Sequence, residues 1–158
     1  MRAKISHLLS DYILPVFLSV SGMFIYFILV TIVLIKLGIF GLYGYKEPVP
    51  IPWQYLLTSC LFPALWEEAF YRWAPLSIAR EAGKQYVFPT IIASSLLFGW
   101  SHGYGISGVI FQGMMGIVSC LLFLKTKSYV CSVAFHCTWN IICLYFLDNL
   151  MIMELINL

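Results

Sequence analysis

The sequence predicts an all-α fold, an integral membrane helical bundle with about five transmembrane helices. Only 10% of the residues are charged and 61% are apolar, whereas soluble domains contain about 25% charged and 45–50% apolar residues. Several long runs also lack Asp, Glu, Lys and Arg, and a helix of about 20 apolar residues crosses a bilayer. The composition therefore excludes an ordinary soluble domain and indicates the lipid bilayer as a partner.

The charge-free runs set the order of the predicted helices. The first helix, 12–36, is too long for the core of a signal peptide and lacks a following cleavage site, so we expect it to be retained. Residues 37–51 are rich in glycine and proline and predict a loop. The remaining helices are one that begins near Trp53, two within 85–124 that Gly103-Tyr104-Gly105 divides, and one over 129–147. We expect a single membrane domain, 1–158, with 53–147 as its motif-bearing core.

The positive charges predict an orientation, because cytoplasmic loops of membrane proteins are enriched in Lys and Arg. Across the five predicted helices, Arg2, Lys4, Arg80, Lys84, Lys125 and Lys127 fall on one side, and Lys36 and Lys46 on the other. This distribution predicts a cytoplasmic N-terminus. The net charge is only +2 and the basic residues form no continuous face, so we expect no nucleic-acid partner.

Three polar motifs interrupt the apolar helices. They are Glu67-Glu68-x-x-x-Arg72, Phe98-x-x-x-His102 and His136-x-x-x-Asn140. An ionisable residue at bilayer depth is costly and by default marks a functional site. His136 and Asn140 are four residues apart, so their side chains share one face of a helix.

The depths of these motifs depend on where the second helix ends. If it ends at Trp66, the acids lie at the cytoplasmic surface and His102 lies near the opposite one. If it continues to Arg80, a rise of 1.5 Å per residue places Glu67 about 20 Å, and the two motif histidines about 25 and 14 Å, from the cytoplasmic ends of their helices. We favour the continuous helix, although a proline lies in its path, because it brings the three motifs within reach of one another.

Each motif also has a simpler interpretation. Glu68 and Arg72 are four residues apart and can neutralise each other, which leaves Glu67 unexplained. A buried histidine often only joins two helices by a hydrogen bond, and the pair of His136 and Asn140 can do the same. The five cysteines form no CxxC pair and are interpreted as small apolar packing residues. So many polar residues at bilayer depth together favour chemistry.

Hydrolysis of an amide by activated water suits these side chains. A glutamate in a low-dielectric site can act as a general base, and a histidine with an asparagine can donate hydrogen bonds to an oxyanion. Neither a Gly-x-Ser-x-Gly nor a His-Glu-x-x-His motif occurs. We expect no cofactor, and a divalent zinc ion held by the two histidines, a glutamate and the asparagine is the alternative.

In their order and spacing, the three motifs resemble those of the CPBP family, the CAAX proteases and bacteriocin-processing enzymes also called Abi, which includes the type II CAAX prenyl endopeptidase. The resemblance covers about residues 53–147. It implies an intramembrane endopeptidase that cleaves a membrane-associated peptide or protein. The catalytic set that it implies is Glu67, Glu68, Arg72, His102, His136 and Asn140.

The resemblance also implies a role for each of these residues. Glu67 is expected to activate water with the help of His102, and His136 and Asn140 to stabilise the oxyanion. The second glutamate and the arginine are expected to order the first motif. The family has been described both as metalloproteases and as metal-independent glutamic proteases. We favour the glutamic type because the ligands form an incomplete set for a hard metal.

The chain departs from the eukaryotic prenyl proteases, which have more than about five spans. This favours a short bacterial-type, multi-pass member in the plasma membrane that acts on a C-terminal sorting anchor, a bacteriocin or a CAAX-like substrate. Two other functions stay open. One is a non-catalytic immunity or scaffold protein that binds a peptide in the same cavity. The other is a transporter subunit that uses the acids as an ion site, although no internal symmetry supports it.

Overall fold

The computed structural model describes residues 2–37 and 53–144, which form five helices and contain no strand. Helix α1 consists of Arg2–Leu8, the wider π-helical turn Leu9–Ile13, and Leu14–Lys36. Helix α2 consists of π-helical Leu56–Leu61, Phe62–Glu68, π-helical Ala69–Trp73, and Ala74–Ala82. The other helices are α3 (Lys84–Ser101), α4 (Ile106–Thr126) and α5 (Tyr129–Ile142). The all-α prediction is confirmed; the predicted loop from residue 38 on and the end of the last helix, 145–147, lie outside the described residues.

Helix α2 continues past the two acids to Ala82, which confirms the continuous helix that the depth argument requires. Pro63 and Pro75 lie inside it. A proline has no N–H for the carbonyl four residues earlier, and its ring clashes with that carbonyl in a regular α-helix. A π-helical segment ends two residues before each of these prolines, and also before Pro15 in α1. The widened turns let the chain pass its prolines without ending the helix.

Helices α3 and α4 form a hairpin whose backbones touch. A Cβ atom added to Gly99 would lie 2.8 Å from the carbonyl oxygen of Gly108, and one added to Gly108 would lie 2.6 Å from the carbonyl oxygen of Gly99. Between the helices, Gly103 and Gly105 adopt positive φ angles of 74° and 59°, which side chains disfavour. The predicted division of this region is confirmed, and the close contact fixes the end of α3, where His102 lies.

A core of aromatic side chains packs α5 against α1 and α4. The ring centroid of Phe27 in α1 is 5.0 Å from that of Phe111 in α4 and 6.2 Å from that of Trp139 in α5. The hydroxyl of Tyr26 donates to the carbonyl of Ile110, 3.0 Å away. Trp139 follows His136 by about one helical turn, so this core also fixes the position of the histidine.

The outer surface has the character of a protein in lipid. Two described segments, Ile5–Leu34 and Gly108–Thr126, are long and apolar enough to cross a membrane by length and composition. Phe62, Trp66 and Phe70 of α2 are each 60–70% exposed. Soluble proteins rarely expose contiguous apolar surface of this kind, so these side chains mark the face of α2 that is expected to contact lipid.

Candidate active site

Helix α2 supplies two acids with different surroundings and one arginine. Glu68 and Arg72 are completely buried, whereas 24% of the Glu67 side chain is exposed. Oε1 of Glu68 lies 3.5 Å from Nη1 of Arg72, so the predicted pair between these residues is present. A buried guanidinium requires such a counter-charge, because desolvation of an unpaired ion costs several kcal/mol, roughly 3–5 when one partner of a pair is removed.

His136 of α5 lies between the two glutamates. Its Nδ1 atom donates to Oε1 of Glu68 at 2.8 Å, and its Nε2 atom lies 3.4 Å from Oε2 of Glu67. The imidazole is buried, with 2% of the side chain exposed. Each ring nitrogen of His136 therefore faces one carboxylate, and Glu68 faces the guanidinium of Arg72 as well.

Ser119 of α4 completes the surroundings of Glu68. Its hydroxyl donates to Oε2 of Glu68 at 2.6 Å, and both side chains are completely buried. Ser119 was not predicted as a site residue, because a serine in an apolar helix carries no motif. The available signal was its polarity in an otherwise apolar run, where hydroxyl groups commonly bond between helices.

Phe98 connects the remaining motif to this cluster. Its ring centroid is 3.8 Å from Cζ of Arg72, a cation–π contact, and 4.6 and 5.7 Å from the rings of His102 and His136. Nδ1 of His102 donates to the carbonyl oxygen of Phe98 at 2.8 Å. In the neutral ring this hydrogen bond leaves Nε2 of His102 as the acceptor.

Two further hydrogen bonds hold α2 on both sides of the acids. The hydroxyl of Ser94 in α3 donates to the carbonyl of Tyr71, which is the carbonyl that Pro75 cannot satisfy. The hydroxyl of Tyr129 in α5 donates to the carbonyl of Leu65. The acids are therefore carried by a segment of α2 that both neighbouring helices fix.

The structure brings Glu67, Glu68, Arg72 and His136 into one cluster and leaves two predicted residues less closely attached. His102 forms no ion pair with an acid in the described part of the chain, and joins the cluster only through Phe98. The half-buried side chain of Asn140 forms no hydrogen bond within residues 2–37 and 53–144. The roles predicted for these two residues stay predictions.

The donor atoms do not form a metal site in the described residues. No group of three His, Cys, Asp or Glu side chains there lies close enough together to hold a metal ion. Glu67 and Nε2 of His136 provide two donors, whereas a protein zinc site has three or four.

A cavity of about 240 Å³ lies apart from this cluster, between α1, α3 and α4. Its walls are mostly apolar, and none of the six predicted residues lines it; the lining includes Tyr26, Ile92, Leu96, Ile110 and Met114. An apolar cavity offers no groups for acid–base chemistry, so the polar cluster defines the candidate site.

By its fold and site, the protein is a bundle of apolar helices that buries a cluster of carboxylate, histidine and arginine side chains. Residues 49–142 match the family of type II CAAX prenyl endopeptidases described as Rce1-like, and this range contains all six predicted site residues. The chain therefore belongs to this family of CAAX-type endopeptidases, whose members are integral membrane proteins that act on membrane-associated proteins. No curated protein and no solved structure matches the chain significantly.

Proposed function

We propose that this protein is an intramembrane endopeptidase that hydrolyses a peptide bond of a membrane-associated peptide or protein with water activated by Glu67. The observation that carries the proposal is the position of His136 between Glu67 and Glu68, at 3.4 and 2.8 Å. A buried imidazole with one nitrogen held by a carboxylate is an oriented proton donor, as in many hydrolytic sites.

The difference in exposure supports a division of roles between the two acids. Glu68 is completely buried, so no water reaches it, whereas the partly exposed Glu67 can contact both water and His136. Glu67 takes a proton from water as the water oxygen attacks the scissile carbonyl, and then returns that proton to the leaving amine. Nε2–H of His136 and the amide of Asn140 donate to the oxyanion that forms.

His102 supports the attack in this proposal. Because its Nδ1–H is engaged by the carbonyl of Phe98, its Nε2 atom is available to accept a hydrogen bond from the same water. Glu67 and His102 then orient the water jointly.

The proposed mechanism is of the glutamic type and needs no metal ion. A zinc-dependent mechanism predicts instead that a strong chelator abolishes cleavage and that added zinc restores it. Under the glutamic mechanism, the purified protein keeps its activity after dialysis against the chelator.

We also propose that the chain spans the plasma membrane of a bacterium several times with its N-terminus in the cytoplasm. A C-terminal sorting anchor, a bacteriocin precursor or a CAAX-like protein would reach a site at bilayer depth.

Comparison of membrane peptides from cells that express the wild type or Glu67→Gln tests whether the protein cleaves such substrates. Cleaved peptides that appear only with the wild type support the peptidase. Identical peptide sets, together with a phenotype that Glu67→Gln retains, would instead support a non-catalytic immunity or scaffold protein.

A further inference from the structure

The carboxylate of Glu68 is held at both of its oxygen atoms by residues from two other helices. Oε1 accepts from His136 of α5 at 2.8 Å, and Oε2 accepts from Ser119 of α4 at 2.6 Å. A carboxylate that is bound through only one oxygen can rotate about its last bond. Two hydrogen bonds from different directions fix that rotation.

Arg72 contributes charge to this carboxylate but little orientation. Its nearest nitrogen is 3.5 Å from Oε1, and none of its three side-chain nitrogens forms a hydrogen bond in the described part of the chain. The guanidinium lies against the ring of Phe98. Hydrogen bonds depend on direction, whereas the attraction between charges does not. Orientation of Glu68 therefore falls to Ser119 and His136.

The hydroxyl of Ser119 has an unusual partner for a serine in a helix. Such a hydroxyl commonly donates to a carbonyl of the preceding turn of its own helix, as Ser132 of α5 does to Tyr129 at 3.0 Å. Ser119 instead reaches a side chain of another helix. Both serines are completely buried, so Ser132 is a matched control for the removal of a buried hydroxyl.

We propose that Ser119 is a positioning residue for the hydrolytic reaction, an inference that rests on the function proposed above. Ser119 is completely buried and so contacts neither water nor substrate. It acts by holding Glu68 in the rotation that orients Nδ1 of His136 and thereby directs Nε2 toward the reacting atoms. Without the Ser119 hydroxyl, Oε2 of Glu68 loses its hydrogen bond, the carboxylate is free to rotate toward the guanidinium of Arg72, and the imidazole loses its orientation.

The test compares Ser119→Ala, Ser119→Thr and Ser132→Ala in the full-length protein, reconstituted in lipid. For Ser119→Ala we expect kcat to fall roughly 10- to 100-fold, since a hydrogen bond to a charged group is lost, with KM nearly unchanged. Ser119→Thr restores the hydroxyl and most of the rate, and Ser132→Ala retains the wild-type rate. If Ser119→Ala does not fold, Ser119→Cys, which has a weaker donor, replaces it with a smaller loss of kcat.

A spectroscopic measurement separates this inference from the proposed function. The chain has only three histidines, so the ¹⁵N imidazole signals can be assigned with His7→Ala and His102→Ala. We expect the hydrogen-bonded Nδ1–H signal of His136 to be sharp in the wild type and Ser132→Ala, and to broaden or shift in Ser119→Ala. Absence of cleavage by the wild type would overturn the proposed function alone. An unchanged kcat and an unchanged Nδ1–H signal in folded Ser119→Ala would overturn the role of Ser119.

Discussion

At the scale of single residues, the two adjacent glutamates differ in burial and in the side chains that surround them. Glu68 is completely buried among Arg72, Ser119 and His136, whereas the Glu67 side chain is 24% exposed and contacts only Nε2 of His136 among these residues. Glu68 is closed to water and held by hydrogen-bond donors, so it is placed to hold its neighbours. Glu67 has one partner and access to water, which the proposed role as base requires.

The buried arginine predicts a large effect on stability. Replacement of Arg72 by Leu leaves Glu68 buried without its guanidinium and is expected to destabilise the protein by about 3–5 kcal/mol. Arg72→Lys keeps the charge but loses the planar contact with the ring of Phe98, so its effect is intermediate. The measurement is the midpoint of thermal unfolding in detergent. Arg80→Leu, at an exposed position of the same helix, is the control, and equal midpoints for Arg72→Leu and Arg80→Leu would contradict the prediction.

At the scale of helices, the site depends on how α2 passes its prolines and how α3 packs on α4. The π-helical turns before Pro63 and Pro75 keep α2 continuous through the acids. The backbone contact at Gly99 and Gly108 places the end of α3, with His102, against this bundle. Apart from Arg72, which lies in the second π-helical turn, these features involve no predicted site residue, yet they determine where the side chains of the candidate site lie.

The hairpin contact is expected to be sensitive to a single methyl group. In Gly99→Ala the new Cβ atom would meet backbone atoms of α4 at 2.8–2.9 Å, and backbone atoms cannot rotate away. The helices must then separate, and we expect both a lower unfolding midpoint and a loss of cleavage.

The matched control for this substitution is Gly22→Ala in α1, where a Cβ atom would meet nothing within 4 Å. Removal of a helical glycine at an open position stabilises by up to about 1 kcal/mol. Thermal unfolding of both variants in detergent compares them directly. An unfolding midpoint for Gly99→Ala at or above that of Gly22→Ala would show that the close contact does not limit the stability of the protein.

The sequence was sufficient for the helices and for part of the site. Charge-free runs and glycines predicted the helical order, and the need to bring the three motifs within reach of one another predicted that α2 continues past the acids. The four-residue spacing predicted the pair of Glu68 and Arg72. The contact of Glu68 with Ser119 was not predictable, because it depends on how α2 and α4 are rotated against each other. A single serine in an apolar run does not show which neighbouring helix it faces.

At the scale of the whole molecule, the chain belongs to a family of integral membrane proteins, and its described helices bury the polar cluster while exposing many large apolar side chains. In lipid, apolar residues gain little by packing together, so polar contacts and close backbone packing hold the helices. The cluster of Glu68, Ser119 and His136 joins α2, α4 and α5. The same contacts therefore serve the structure and the proposed reaction.

The proposed orientation predicts which ends of α4 face which compartment. Ile106 is 77% exposed at its start, and Lys127 is exposed just beyond its end. Lys127 belongs to the side rich in positive charge, so Lys127→Cys is expected to react with a membrane-impermeant maleimide only from the cytoplasm, and Ile106→Cys only from outside. The wild type, with its five native cysteines, provides the background. Labelling of both positions from the same side would contradict the orientation.

The most direct measurement is the cleavage rate of the purified protein in proteoliposomes, with a membrane-peptide substrate, for the wild type, Glu67→Gln and Glu81→Gln. Glu81 is an exposed acid on the same helix, so its substitution makes the same chemical change away from the site. If Glu67 is the base, Glu67→Gln loses at least about 100-fold in kcat, within the range that general-base catalysis contributes, while Glu81→Gln cleaves like the wild type. Cleavage by folded Glu67→Gln at the wild-type rate would contradict the central claim.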